Sequence, residues 1–158
     1  MHVFETKHTI AHPADDMFRL VADVESYPRF LPLCEELELR RSERRDCKEV
    51  LIATMTVGYK FICESFTTEV ILDAGAHTIV VHYLDGPFSF LENRWRFFPL
   101  TPRSCEVDFY IAYGFRSRLL ERLMAGLFDK AVRKYTDAFE ARADAVYGVS
   151  SASVASQK

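Results

Sequence analysis

The sequence has no CxxC pair, no Cys/His set at zinc-ligand spacing and no HExxH motif. Its four cysteines, Cys34, Cys47, Cys63 and Cys105, therefore read as reduced, small, mostly buried apolar residues of a cytosolic protein. No metal and no catalytic cofactor is expected. No uninterrupted apolar run approaches the ~18 residues of a membrane span. The opening Met1-His2-Val3-Phe4-Glu5 has neither a basic region nor the apolar stretch of a secretory signal. A soluble chain is the expectation. An excess of positive charge is missing too: the net charge is −3 and the pI about 6.0. That argues against a general nucleic-acid binder, and DNA is not expected as a partner. Arg40, Arg41, Arg44, Arg45 and Lys48 crowd one stretch, but Glu43 and Asp46 interrupt it. A solvated hairpin turn is the preferred reading over a basic patch. No internal repeat is visible.

What is present fits one domain. The chain has 158 residues, 49% hydrophobic and 27% charged, and at that length folding buries roughly 70% of the unfolded surface. Thirteen Phe, seven Tyr and one Trp supply large flat apolar surfaces. Most must be core, and an apolar ligand pocket is the second reading.

Residues 2–10 read as a strand. Pro13 is placed to open a helix, with Asp15 and Asp16 at its positive end and Met17, Leu20, Val21 and Val24 at helical spacing. Pro28 and Pro32 limit a second, short helix around Val24–Phe30. From 35 to 113, breaks near 42–46, 58–59, 73–76, 85–89 and 99–103 delimit six strands in meander order. Cys105, Val107, Phe109, Ile111 and Tyr113 share one face. Leu91, Asn93, Trp95 and Phe97 share another, opposite Glu92, Arg94 and Arg96. Leu51, Ala53, Met55, Val57 and Tyr59 form a third set. The run from Lys60 to Leu72 is apolar on both faces, which a bulge would explain. Ser117 has the character of an N-cap, followed by one amphipathic helix to about Val146, ~40 Å long. Residues 1–147 form the expected domain and 148–158 a disordered tail.

The segregation of strands from helices indicates α+β with an antiparallel sheet, in the order β-α-α-β6-α. A seven-stranded sheet of this kind curls, and a long helix in its concave face leaves an apolar interface that a ligand can share.

Several segments carry a resemblance. Asp23-Val24-Glu25-Ser26-Tyr27-Pro28-Arg29-Phe30-Leu31-Pro32, Glu64-Ser65-Phe66-Thr67, Leu84-Asp85-Gly86-Pro87-Phe88, Leu91-Glu92-Asn93-Arg94-Trp95-Arg96-Phe97 and Phe115-Arg116-Ser117-Arg118-Leu119-Leu120 occur in that order. Over residues 2 to about 146 the chain resembles the coenzyme Q-binding protein family of the START-like superfamily, which includes bacterial ribosome-association toxins. The resemblance implies a helix-grip fold and non-enzymatic binding or chaperoning of ubiquinone or a related polyprenyl lipid, supporting respiration and quinone biosynthesis. It implies a cytoplasmic protein, peripheral to the inner membrane, of the bacterial form without a long presequence.

The candidate ligand lining is drawn from the inward sets: Met55, Val57, Tyr59, Asn93, Trp95, Phe97, Phe109, Ile111 and Tyr113. The helix face adds Leu120, Met124, Leu127 and Phe128, and the loops add Phe30, Leu31 and Phe88. A filled core is the competing reading for each. Asn93, Tyr59 and Tyr113 are the candidate donors to quinone oxygens, while Arg94 and Arg96 are expected to face away and pair with Glu64, Glu92 or Glu106. Gly126 is read as allowing close approach of a ligand or strand, or as merely tolerated. The loop Gly86-Pro87-Phe88-Ser89-Phe90 either stays exposed, at a pocket mouth or transient membrane contact, or folds back on the core. A ribosome-binding inhibitor of subunit association is the second function, kept by Arg116, Arg118, Arg122 and the Arg40–Lys48 cluster. A polyketide cyclase-like enzyme ranks third, because no Ser/His/Asp set, metal set or carboxylate pair stands on the inward faces.

Overall fold

The computed structural model describes residues 1–148, so of the tail expected over 148–158 all but Gly148 falls outside the described residues. β1 (His2–Ile10) alternates inward and outward residues to its end. α1 (Ala14–Ala22) follows and buries Met17, Phe18, Leu20 and Val21. Pro13 sits one position earlier than expected: it is the N-cap, with extended backbone, and its carbonyl accepts the N–H of Met17 at 3.1 Å. The short second helix is a 3-10 helix, Val24–Arg29, that contains Pro28.

Six strands then run as a meander: β2 (Cys34–Arg45), β3 (Lys48–Tyr59), β4 (Ile62–Asp73), β5 (Thr78–Asp85), β6 (Phe88–Thr101) and β7 (Ser104–Phe115). They form one antiparallel sheet in the order β1-β7-β6-β5-β4-β3-β2. Chain order equals spatial order except for β1, which returns to pair with β7 from His2↔Tyr113 to Ile10↔Cys105. The Arg40–Lys48 stretch is a solvated hairpin, as preferred. Arg40 reaches Glu38, Arg45 reaches Glu43, and Lys48 lies 4.0 Å from Asp73. Charges along this free edge discourage pairing with another chain.

β4 resolves the ambiguous run. Phe66, Thr68, Val70 and Leu72 are buried in strict alternation, and its register with β3 is continuous from Tyr59↔Ile62 to Glu49↔Leu72. The irregularity is on the other side, with β5, between Thr67 and Thr68. It therefore does not reverse the faces of the strand.

The C-terminal helix is two helices, which corrects the single ~40 Å element. α2 (Arg118–Arg133) starts at Ser117, whose Oγ accepts the Leu120 N–H at 3.1 Å. At Lys134 the backbone tightens: its N–H bonds Ala131 O at 3.0 Å, a 3-10 closure. α3 (Tyr135–Tyr147) continues beyond it. The bend lets α2 lie against β7 and β1 while α3 lies against α1.

Two aromatic clusters fill the concave side. One surrounds Phe88, with Phe66, Tyr83, Phe115 and Phe128 within 5.0–5.7 Å. The other surrounds Phe139, with Tyr27, Phe30 and Trp95 within 5.2–5.3 Å. The Asp85-Gly86-Pro87-Phe88 turn thus folds back on the core, and Phe88 is 1% exposed. Gly86 permits it: its φ is +144°, and a Cβ there would stand 2.5 Å from Phe66 Cβ.

Candidate ligand cavity

Between the two aromatic clusters lies a cavity of about 90 Å³. Its floor is the inner face of β3 to β7: Ala53 and Met55, then Phe66, Thr68 and Val70, then Ile79 and Val81, then Leu91, Asn93 and Trp95, then Phe109 and Ile111. Leu37 of β2 extends the floor to the sheet edge. Phe128, Tyr135 and Phe139 cover it from the helices, and Val24, Tyr27 and Leu31 close one side. A smaller cleft of about 10 Å³ lies between the β3–β4 hairpin and α2, lined by Leu33, Val57, Tyr59, Ile62, Met124 and Leu127. Phe128 borders both spaces, so its ring is the partition between them.

Of the residues expected to line a site, Leu31, Met55, Asn93, Trp95, Phe109, Ile111 and Phe128 line the main cavity. Val57, Tyr59, Met124 and Leu127 line the cleft. Phe88, Phe97 and Tyr113 are fully buried among other rings and border neither space. Phe30 packs on Tyr27 and Phe139 behind the wall, and Leu120 stands half-buried outside both.

The lining missed most visibly is Phe66, Thr68 and Val70, hidden in the run that was apolar on both faces. Ala53 and Leu91 were in the right alternating sets but were not singled out. Tyr135 and Phe139 were in the helical pattern, about two and three turns beyond the last residue chosen, Phe128.

The polar groups of the lining differ from those expected. Asn93 is present, but its amide already donates to Tyr110 O at 2.9 Å. Tyr113 Oη is buried without a partner, away from the cavity. Tyr59 is at the cleft and largely exposed. Thr68 and Tyr135 line the main cavity, and their hydroxyls make no hydrogen bond among the described residues. Tyr27 Oη donates to Val21 O. Burial pushes the phenols of Tyr27 and Tyr135 above their ordinary range, so both stay neutral donors.

Arg94 and Arg96 do face away, but their recorded partners are rings rather than carboxylates. Arg94 stacks 4.3 Å over Tyr110 and Arg96 4.9 Å over Phe98. The alternation that sets Arg94 outward does the same to Tyr110 across the pair, so the guanidinium meets a ring. Cys34 and Cys105 are buried, and burial raises both thiols to about 11. Cys47 and Cys63 are exposed, which corrects the expectation for half of the cysteines. No group of three metal-ligating side chains occurs among the described residues. No helix there is long and apolar enough to cross a membrane.

A Cβ on Gly126 would meet nothing within 4 Å, so no strand approaches it. It is an exposed glycine inside α2. Gly126→Ala is expected to stabilise the protein by about 0.5–1 kcal/mol, read as a higher urea midpoint at unchanged slope. A lower midpoint would mean that the open backbone is in use.

The chain matches the family model described as polyketide cyclase/dehydrase and lipid transport over residues 10–140. It belongs to that family. It is 34% identical over 140 residues to the ribosome association toxin RatA of Vibrio cholerae, covering 88% of this chain and 93% of that one. It is 33% identical to the mitochondrial coenzyme Q-binding protein COQ10 homolog B of Xenopus laevis, covering 85% of this chain and 54% of the relative. A START superfamily protein from Mycobacterium smegmatis superposes with a TM-score of 0.76 at 18% identity, over 92% of this chain and 99% of the other. That last likeness carries the fold alone. The START-like fold and the family resemblance expected from the motifs are thus both found.

Proposed function

We propose that this member of the family is a non-enzymatic binder of ubiquinone or a related polyprenyl lipid, working in the cytoplasm beside the inner membrane. The observation that carries the proposal is the cavity between the two aromatic clusters, whose lining is apolar apart from Thr68, Asn93 and the polar ends of Tyr27, Trp95 and Tyr135. Two neutral hydroxyls without partners suit the carbonyl oxygens of a ring that is otherwise apolar. The name of the Xenopus relative supports the same ligand class. A cyclase would need a positioned acid or base, and the lining holds no carboxylate, histidine, lysine or cysteine.

The size of the cavity restricts how such a ligand would sit. At about 90 Å³ it offers roughly six to nine times the room one water needs. A ring-sized head group matches that room. The isoprenoid chain would leave past Phe128 into the cleft beneath α2, with that ring turned aside.

The second reading, ribosome association, is favoured by the name of the Vibrio relative. One preparation tests both. Protein purified natively is extracted with organic solvent and its lipid identified by mass spectrometry, and stripped protein is titrated with a short-chain ubiquinone. Co-purifying quinone and saturable binding are expected. Absence of both sinks the proposal, and co-sedimentation with large ribosomal subunits instead would favour the second reading.

A further inference from the structure

The end of the molecule that carries the cleft has a surface the cavity does not explain. At the tip of the β3–β4 hairpin Phe61 is 87% exposed, beside Tyr59 at 44%. α2, which borders the cleft from the other side, exposes Leu119 at 64% and Leu123 at 42%. These leucines are one helical turn apart and lie on the solvent side of α2, away from the buried Met124, Phe128 and Ala131. Cations border them. Arg118 and Arg122 form the neighbouring row of the same helix, Arg116 precedes it, and Lys60 occupies the hairpin tip, 5.3 Å over the Tyr59 ring. None of these four is ion-paired among the described residues, and Glu121 on the same helix is engaged by His2.

We infer that this end of the protein, formed by the β3–β4 hairpin tip and the first turns of α2, docks on the surface of an anionic lipid bilayer. Charge complementarity selects this occupant. The chain as a whole is acidic, at −3, yet here four cations flank an apolar strip. That pattern, apolar residues to enter the acyl boundary and Lys/Arg to meet phosphates, is the one interfacial helices use. The position adds to the argument. The apolar strip begins at Tyr59 and Leu127, which line the cleft that Phe128 separates from the cavity. A docked protein would hold that cleft against the lipid. The exposed aromatic considered earlier for such a contact, Phe88, is buried, and Phe61 takes its place.

Docking does not depend on the ligand, although its use in lipid exchange rests on the function proposed above. The test therefore uses lipid-stripped protein and quinone-free vesicles of phosphatidylcholine, with and without one-third phosphatidylglycerol, in co-sedimentation at low and high salt. Binding to the anionic vesicles is expected, weaker by about tenfold or more on neutral vesicles or in high salt. Phe61→Asp combined with Leu123→Asp should reduce it at least as much, as should Arg118→Glu combined with Arg122→Glu, with unchanged circular dichroism because all four residues are exposed. Three results would overturn the inference: no binding to anionic vesicles, equal binding by folded double variants, or a patch that instead mediates dimerisation or RNA binding in those variants' absence. Docking retained by protein that binds no quinone would overturn the proposed ligand and leave the surface intact.

Discussion

Phe139→Ala will lower the stability of the protein by about 3–5 kcal/mol, the range for truncating a buried phenylalanine. The ring is 1% exposed. It is held edge-on by three others, Trp95 at 5.2 Å, Tyr27 at 5.3 Å and Phe30 at 5.2 Å. Each belongs to a different part of the chain: Trp95 to β6, Tyr27 to the 3-10 helix, Phe30 to the turn that follows it. Phe139 itself is on α3, beyond the bend at Lys134. Removing it detaches the helix, the 3-10 segment and the sheet from one another at once. The new void would join the existing cavity, because Phe139 is part of its lining. Neighbours already facing open space on one side have little to collapse onto, which favours the upper end of the range. Two-state urea unfolding, or a Tm lowered by about 6–20 °C for a domain of this size, is the measurement. A loss below about 1 kcal/mol, the usual scale of an exposed position, would show that the ring does not bind the layers together.

The position of that ring was legible in the sequence, but its importance was not. Three- and four-residue spacing placed Phe139 on the buried side of a helix, and period-two alternation placed Trp95 inward. Both periodicities report direction, and direction survives folding because it follows from backbone geometry. The same reasoning found the number of strands, the meander order and the Ser117 cap. What periodicity does not carry is whether the space opposite an inward side chain is filled. Tyr113 and Ile111 face the same way on β7, yet Tyr113 meets Phe128 at 4.8 Å and is sealed while Ile111 borders the void. That difference is made by residues far away in the chain. The bend at Lys134 was illegible for a related reason: no proline or glycine marks it, and it arises from packing α2 and α3 on different surfaces. β4 defeated alternation because its outer face carries Cys63 and Ile71 as well. Its pairing with β3 then fixed Thr68 inward, and with it one of the two free hydroxyls of the cavity.

Ala53→Phe separates direction from filling experimentally, and it is expected to weaken ubiquinone binding by about 100-fold or more. Ala53 is 3% exposed, in the middle of β3, paired with Leu39 on one side and Thr68 on the other. Its side chain is the smallest in the cavity floor. A phenyl ring grown from it enters the space proposed above for the quinone ring. Overpacking a filled core costs about 1–3 kcal/mol, but this ring has room, so the stability loss should fall at the low end. Affinity should suffer more, because ligand and side chain compete for one volume, and 100-fold corresponds to about 2.8 kcal/mol. Thr68→Val provides the contrast. It keeps the shape and removes one hydroxyl, with an expected loss of about tenfold or less. The sequence has one tryptophan, Trp95, and it lines the cavity. Its fluorescence, quenched on titration with a short-chain ubiquinone, reads both variants without a label. Undiminished quenching in a folded Ala53→Phe protein would place the ligand elsewhere, with the cleft under α2 the next site to probe. A loss in Ala53→Phe with only a modest change in Thr68→Val would mean that shape, more than hydrogen bonding, selects the ligand.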